Sequence, residues 1–111
     1  MEIARSIIET LEDKKGENIV LLDIHDISSF ADYFIICSAT STRMLTSLSE
    51  AVSETAKNQF ALHSKIEGQS TDGWQVVDLG DIVVHLFSED QRDYYQLEQL
   101  WENSKVLVRL Q

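Results

Sequence analysis

Proline is absent from this chain of 111 residues, which has four glycines and one cysteine. A single cysteine, Cys37, excludes a disulfide within the chain and a zinc site built from several thiolates. A chain of this size buries roughly two-thirds of the surface that it exposes when unfolded. Its 43% hydrophobic content is enough for a core without such crosslinks. The length fits one domain and excludes a multidomain enzyme.

Positive charge is also scarce. Nine Lys and Arg residues stand against nineteen Asp and Glu residues, which gives a formal net charge of −10. Such a surface repels phosphate groups, whereas binding to bare nucleic acid depends on neutralising phosphates with Lys and Arg. We therefore expect no direct contact with bare nucleic acid and a protein partner that is basic.

Long hydrophobic runs are missing as well. The longest, Tyr33 to Cys37, has five residues, whereas about 18 are needed to cross a bilayer. The first residues, Met1 to Arg5, lead into an acidic amphipathic pattern, which lacks the basic start of a signal peptide. We expect no membrane association and a cytoplasmic location.

Hydrophobic periodicity and turn residues predict a mixed α/β (α+β) fold, in which helices pack on a small mixed sheet. The predicted element order is α-β-β-α-(β)-β-β-α, where parentheses mark a weak strand. The helices are predicted at 2–14, at about 42–59 and from 89 onward, and the strands at 19–24, 33–38, 64–67, 74–79 and 82–88. The predicted domain spans 1–103. The remaining tail, 104–111, either docks as a strand or stays mobile, and its periodicity does not decide between these.

Capping residues mark the helix ends. Gly16 is the predicted C-cap of the first helix, and Thr40 or Ser41 is the predicted N-cap of the second. Ser88 to Gln91 reads S-x-x-Q, a capping box that begins the last helix. Together these residues predict where each helix meets its neighbouring strand.

The clearest local feature is a hairpin whose two-residue turn is Gly80-Asp81. This turn pairs Leu79 with Ile82 and sorts the strands into two faces. One is an ordinary core face, with Val77, Leu79, Ile82, Val84 and Leu86. The other is apolar but carries two ionisable groups, with Trp74, Val76, Asp78, Val83, His85 and Phe87. This second face is either covered by a helix or exposed as a patch for a partner, and the pattern leaves both open.

Aromatic residues and acids concentrate in the same part of the chain. Residues 72–102 hold five of the nine aromatics beside eight acids and one arginine. Helical spacing places Tyr94 and Trp101 on a core stripe, whereas Tyr95 lies about a hundred degrees away, on the same outer side as Glu98. Aromatic anchors surrounded by negative charge suit a basic protein surface.

Catalytic patterns are weak. His25, His63 and His85 lie in different elements without metal-ligand spacing, and Cys37 lies inside an apolar strand. The strand that leads into Ser38 to Ser41 and a long helix resembles a minimal nucleotidyltransferase. That chemistry needs a D-x-D pair on the following strand, where this chain has Ser64 to Glu67. A small nucleotide-binding or nucleotidyltransferase-like enzyme remains the alternative to a binding factor.

Three segments together resemble the Iojap-related ribosomal silencing factors. They are Asp32 to Ser41 (DYFIICSATS), the pattern W-x-x-x-D-x-G-D-x-x-x-H-x-F from Trp74 to Phe87, and R-x-Y-Y-x-L-E-x-L-W from Arg92 to Trp101. The combination spans most of positions 32 to 101. It is far more specific than any one segment.

This resemblance implies a translational repressor that is not an enzyme and needs no cofactor or metal. Family members bind the large ribosomal subunit through a small basic protein, of the uL14 family, near the face that joins the small subunit. The implied fold is that of a nucleotidyltransferase whose catalytic acids are lost. The implied mechanism is steric, because a docked factor blocks subunit joining.

The residues and the resemblance together yield a hypothesis for the contact site. We expect Trp74, Asp78, His85, Tyr95 and Glu98 to contact the ribosomal protein, with Trp74 and Tyr95 as anchors. The same apolar face could hold a homodimer when the partner is absent.

Overall fold

The computed structural model describes the backbone of residues 1–95 and 104–110, and the side chains of 1–92 and 104–110. The mixed α/β fold that the sequence predicts is confirmed. In chain order the helices and strands are α1 (Glu2–Asp13), β1 (Glu17–Asp23), β2 (Tyr33–Ala39), α2 (Thr42–Phe60), β3 (Lys65–Glu67), β4 (Trp74–Asp78), β5 (Ile82–Ser88), α3 (Glu89–Tyr95) and β6 (Lys105–Leu110), with one 3-10 turn at Ser70–Asp72.

The six strands form one mixed sheet in the order β3-β4-β5-β2-β1-β6. The two central strands, β2 and β5, run parallel, and the other four strand pairs are antiparallel. A parallel pair needs a crossover connection, which here contains α2, β3 and β4. Cys37 and its neighbours in β2 are buried on both faces, as the continuous apolar run predicted.

Helices α1 and α2 pack against each other and cover one face of the sheet. We call the hydrophobic side chains between them and the strands the first core. It includes the hairpin residues of the predicted core face together with Ile7, Leu11, Leu45, Leu48 and Val52. Ser41 is the N-cap of α2, because its hydroxyl accepts a hydrogen bond from the Met44 amide at 3.0 Å.

The predicted cap at Gly16 is wrong. Lys15 takes the left-handed conformation after α1, with φ 69°, and its amide bonds to the Glu12 carbonyl at 3.0 Å. The Gly16 amide then bonds to the Leu11 carbonyl at 2.8 Å, which completes a Schellman motif one residue earlier than predicted. Glycine is needed at position 16 for space, since a Cβ there would lie 2.5 Å from the Cys37 sulfur.

The hairpin has the predicted register throughout. Trp74 pairs with Phe87, Val76 with His85 and Asp78 with Val83, and the Leu79 amide bonds to the Ile82 carbonyl at 2.9 Å. The predicted division into two faces is confirmed too. The second face joins residues of β1 and β2 in a second core, made of Val20, Leu22, Ile24, Ala31, Phe34, Ile36, Val83 and Phe87, with Trp74 and Val76 packed against it.

The segment 104–111 contains a strand. Of the two predicted alternatives, a docked strand and a mobile tail, the structure therefore shows the docked strand. Residues Lys105–Leu110 pair antiparallel with β1 at one edge of the sheet. Leu107, Val108 and Leu110 are partly buried against the first core. The segment that the sequence set apart as a tail therefore contributes an edge strand to the same sheet.

Candidate partner-binding surface

Three of the five predicted contact residues lie on one face of the hairpin. Trp74 and Asp78 stand at the two ends of β4, and His85 lies on β5 opposite Val76. Because side chains alternate along a strand, all three belong to the second face. The register alone places His85 diagonally between the other two.

Trp74 is half-buried, and its indole lies against the backbone at Gly68. A Cβ added to Gly68 would be 2.8 Å from the ring atom Cε3, and Gly68 has φ 90°. The ring also packs against the second core. These contacts on two sides hold the indole in place, while part of it remains accessible to a partner.

His85 is half-buried between two phenyl rings. Its ring meets Phe34 edge to face with centroids 4.5 Å apart, and it lies parallel to Phe87 at 6.2 Å. Its Nε2 atom is buried and has no hydrogen-bond partner among the described residues. Burial lowers the pKa of His85 to about 4, so the ring is neutral near pH 7.

Asp78 shapes the hairpin turn. Its Oδ1 accepts a hydrogen bond from the Gly80 amide at 2.9 Å, a local Asx-type contact across the turn. The residue is half-buried. Asp78 therefore combines a role in the turn with a negative charge on the second face.

Tyr95 and Glu98 complete the predicted set. Tyr95 lies in α3, which contacts β5 and β2. The Tyr95 side chain and all of Glu98 lie outside the described residues, as do the core positions predicted for Tyr94 and Trp101. Their proposed contacts stay predictions.

The second face is buried in one part and accessible in another. Phe34, Val83 and Phe87 near its centre are buried, with 5 to 9% of their surface exposed. Trp74, Val76, Asp78 and His85 are only partly buried. The accessible part of the face is therefore a strip along β4 and His85 rather than an open apolar sheet.

Comparison with known proteins identifies the family. A family model described as "Ribosomal silencing factor during starvation" matches residues 1–111. This chain belongs to that family. A ribosomal silencing factor from Bacillus subtilis is 41% identical over 95 residues, which cover 86% of this chain and 80% of the relative. Membership supports a ribosome-silencing role.

Two further similarities agree with this assignment to the silencing factors. A crystal structure of a Chromobacterium violaceum protein has 35% sequence identity and a TM-score of 0.85, covering 91% of this chain and 84% of that one. A mouse protein named "Mitochondrial assembly of ribosomal large subunit protein 1" is 32% identical over 98 residues, which cover 86% of this chain and 43% of that protein. The resemblance inferred from the three sequence segments is thus confirmed.

Strand β2 leads through Thr40 and Ser41 into α2, which is the strand-to-helix layout on which the nucleotidyltransferase alternative rests. The next strand, β3, carries Lys65, Ile66 and Glu67 and therefore lacks the D-x-D pair that this chemistry needs. A cleft beside the N-terminus of α2 is lined by Ser41, Asp72 and Asp90 among others. Two carboxylates there disfavour a triphosphate.

Two other titratable side chains, Cys37 and Arg92, are buried. Burial raises the pKa of the Cys37 thiol to about 12, which makes it a poor nucleophile. Arg92 is buried and donates from Nη1 to the Asn18 carbonyl at 2.6 Å and to the Ser38 hydroxyl at 2.8 Å.

Within residues 1–95 and 104–110 no cluster of His, Cys, Asp and Glu has a metal-binding arrangement. No described helix is long and apolar enough to span a membrane.

The loop between β1 and β2 carries two exposed apolar side chains that the predicted site did not include. Ile27 and Phe30 are 46% and 73% exposed. Two large apolar residues inside a short polar loop were the signal that could have indicated a contact site. In this silencing factor the loop lies beside the Gly80-Asp81 turn, because the Asp81 carbonyl accepts hydrogen bonds from the amides of Asp32 and Tyr33.

The same loop holds an exposed ion-pair cluster. His25 Nδ1 lies 2.5 Å from Asp23 Oδ1, and its Nε2 lies 3.0 Å from Asp26 Oδ1. The hydrogen bond to Asp23 raises the pKa of His25, with the charges of Asp23 and Asp26 adding to the effect. The bond also lowers the pKa of Asp23. The cluster is therefore more completely ionised near neutral pH than an isolated histidine would allow.

Proposed function

We propose that this chain represses translation by binding the large ribosomal subunit and preventing the small subunit from joining it. The partner on the large subunit is a basic ribosomal protein of the uL14 family near the subunit interface. The observation that carries the proposal is the silencing-factor match over residues 1–111. The action is steric and takes place in the cytoplasm, and it requires no catalysis, cofactor or metal.

The charge of the chain supports a basic protein as the partner. A net charge of −10 disfavours contact with the phosphates of ribosomal RNA and favours association with a cationic protein surface. The name of the mouse relative, which refers to the ribosomal large subunit, is consistent with this choice of subunit.

The strip along β4 is the proposed contact. Trp74 provides an aromatic ring that is fixed by its packing, Asp78 provides a carboxylate, and His85 provides a neutral imidazole. We assign the same role to Tyr95 in α3 and to Glu98, which follows it in the sequence. Aromatic side chains with restricted rotamers lose little entropy on binding, which makes Trp74 the expected anchor.

The free protein can use the same face for a homodimer. Partly exposed apolar residues such as Trp74 and Val76 bury surface when two copies meet through an isologous contact. Ribosome binding would then compete with self-association. Sedimentation velocity at rising protein concentration measures this equilibrium, and a monomer at all concentrations would contradict it.

Sedimentation with purified subunits tests the main proposal. The protein is mixed with large or small subunits and run on a sucrose gradient, and the missing subunit is then added. We expect it to travel with large subunits and to reduce the joined 70S-type peak. Equal binding to both subunits, or an unchanged joined peak, would contradict the mechanism.

The alternative of a nucleotide-binding enzyme has its own test. Any ligand that binds only the folded state raises the melting temperature by mass action. A thermal-shift scan with nucleoside triphosphates and Mg²⁺ should leave the melting temperature unchanged. A concentration-dependent rise would support the enzyme reading and weaken the proposal of a purely steric factor.

A further inference from the structure

The most exposed large hydrophobic side chain of the described residues is not on the proposed strip. It is Phe30, with 73% of its surface accessible, in the loop between β1 and β2. Ile27 in the same loop is 46% exposed. Neither side chain belongs to the first or the second core. Two exposed apolar side chains of this size in one loop form a candidate contact surface for a partner.

The loop holds Phe30 outward. The Ser28 hydroxyl accepts hydrogen bonds from the amides of Phe30 and Ala31, both at 3.3 Å. Ala31 is buried in the second core at 4% exposure, and the Ile24 amide bonds to the Asp32 carbonyl at 2.9 Å. Phe30 therefore extends from a segment that is tied down on both sides, which lowers the entropy lost when the ring is buried by a partner.

Carboxylates flank this loop near the hairpin turn, while Lys105 lines a cleft with His25, Asp26 and Ile27. The Asp81 carbonyl accepts from the Asp32 amide at 2.8 Å and from the Tyr33 amide at 3.1 Å, so the hairpin turn is bonded directly to the residues after Phe30. The side chains of Asp32 and Asp81 are exposed, and Asp78 follows on the other side of the turn. Residues 24–32 and 79–81 contain no Lys or Arg. We call these two segments the acidic end of the sheet.

We infer that the acidic end is a second part of the partner-binding site, in which Phe30 inserts into a basic protein segment while Asp32 and Asp81 pair with its Lys or Arg side chains. This inference rests on the proposed function, because it takes the partner to be the same basic ribosomal protein. The occupant is a protein segment, since clustered carboxylates repel a phosphate backbone and an exposed ring among them suits a cationic surface with apolar spots.

Asp78 connects the two parts of the site. It lies at the end of β4, on the proposed strip, and its Oδ1 bonds to the Gly80 amide in the turn of the acidic end. On this inference one partner contacts Trp74 and Asp78 along β4 and then Phe30, whose loop is bonded to the hairpin turn through the Asp81 carbonyl.

A matched pair of substitutions tests the role of Phe30. Phe30→Ala and Ile66→Ala each truncate an exposed apolar side chain, and Ile66 lies on β3 at 43% exposure, outside the acidic end. We expect Phe30→Ala to raise the Kd for large subunits by about tenfold or more, and Ile66→Ala by less than about twofold. Circular dichroism confirms that both variants fold. Unchanged binding by a folded Phe30→Ala would overturn the inference.

A second pair tests the charges. The double variant Asp32→Asn, Asp81→Asn should slow association and reduce its dependence on salt, because surface charges act mainly on the on-rate. Glu50→Gln with Glu54→Gln removes the same charge from the exposed side of α2 and serves as the control. Equal slowing by the two double variants would mean that net charge, and not the acidic end, steers binding.

Photocrosslinking identifies the occupant. A benzophenone amino acid in place of Phe30 should crosslink to a basic protein of the large subunit, and crosslinks only to ribosomal RNA would overturn the inference. The two proposals fail in different ways. If the unmodified protein does not sediment with large subunits, both fall; if it does and Phe30→Ala binds equally well, only the acidic-end inference falls.

Discussion

The ring of His85 meets the ring of Phe34 edge to face, with centroids 4.5 Å apart and planes inclined by 65°. The two residues are brought together by the parallel pairing of β2 and β5, in which Phe34 lies beside Val83 and Ile36 beside His85. This contact places an ionisable group against the second core. Its protonation state therefore affects both the stability and the surface of the protein.

Acid should destabilise the fold through His85. Burial lowers its pKa to about 4, below the ordinary value of 6.5. Between these two pH values the unfolded chain binds more protons than the folded chain, so the free energy of unfolding rises with pH across this window. The contribution is on the order of 3 kcal/mol and is complete above about pH 6.5.

Urea denaturation of a His85→Leu variant at pH 4.5 and pH 7 measures this effect. The variant should lose less stability on acidification than the unsubstituted protein. His63→Gln, at an exposed position, is the control for removal of a histidine. An identical pH dependence for His85→Leu and the unsubstituted protein would mean that His85 protonates equally well in both states.

Truncation of Trp74 should weaken ribosome binding. Interface anchors of this type cost more than about tenfold in affinity when replaced by alanine. Trp74 also packs against the second core, so Trp74→Ala is expected to lower stability by about 2 to 3 kcal/mol. Trp74→Phe keeps an aromatic ring and should retain part of the binding affinity and part of the stability. A Trp74→Ala variant that is folded and binds with unchanged affinity would show that the strip along β4 is not the contact.

Alanine at Gly68 should be more harmful than alanine at Gly80. Both glycines have positive φ, 90° and 96°, so each substitution carries the same backbone strain of about 1 kcal/mol. Only at Gly68 would the new Cβ also collide with Trp74, both with its indole and with its backbone carbonyl oxygen, each at 2.8 Å, whereas nothing lies within 4 Å at Gly80. Thermal unfolding of both variants measures the difference, which is the cost of relieving these contacts. Equal melting temperatures would mean that the Trp74 side chain and backbone shift freely.

The ion-pair cluster at His25 should respond to loss of Asp23. The hydrogen bond to Asp23 raises the pKa of His25, so the stabilisation is fully present below the ordinary pKa of 6.5 and is lost as the pH rises through the raised value. Asp23→Asn should return the pKa of His25 toward its ordinary range. An NMR titration of the ring protons reports this directly, with Asp26→Asn as a variant of smaller expected effect. An unchanged titration of His25 in Asp23→Asn would contradict the pairing.

Local chemistry was sufficient for much of this fold. The two-residue turn at Gly80-Asp81 determines the hairpin register. Because Leu79 and Ile82 flank the turn and pair with each other, every later pair along the two strands is fixed. The Ser88 hydroxyl accepts from the Gln91 amide at 3.3 Å, as the capping box predicted. The family, too, could be inferred from three segments of sequence, since the motif combination is specific.

The sequence could not predict how strands from distant parts of the chain pair with each other. The docking of Lys105–Leu110 beside β1 depends on contacts with residues more than eighty positions earlier, and no local pattern distinguishes a docked strand from a mobile tail. The placement of His85 beside Phe34 likewise needs the crossover that sets β2 next to β5. Hydrophobic periodicity reports which side of a strand is apolar but not which strand lies beside it.

Exposure was the other quantity that only tertiary structure decided. The sequence alone determined the acidic charge, the mixed α/β class and the two faces of the hairpin, because composition, propensity and alternation are properties of neighbouring residues. It placed the aromatic anchors at Trp74 and Tyr95 and overlooked Phe30. The loop that carries Phe30 is tied to the hairpin turn by the Asp81 carbonyl, which accepts hydrogen bonds from the amides of Asp32 and Tyr33, and a contact across fifty residues leaves no local pattern in the sequence.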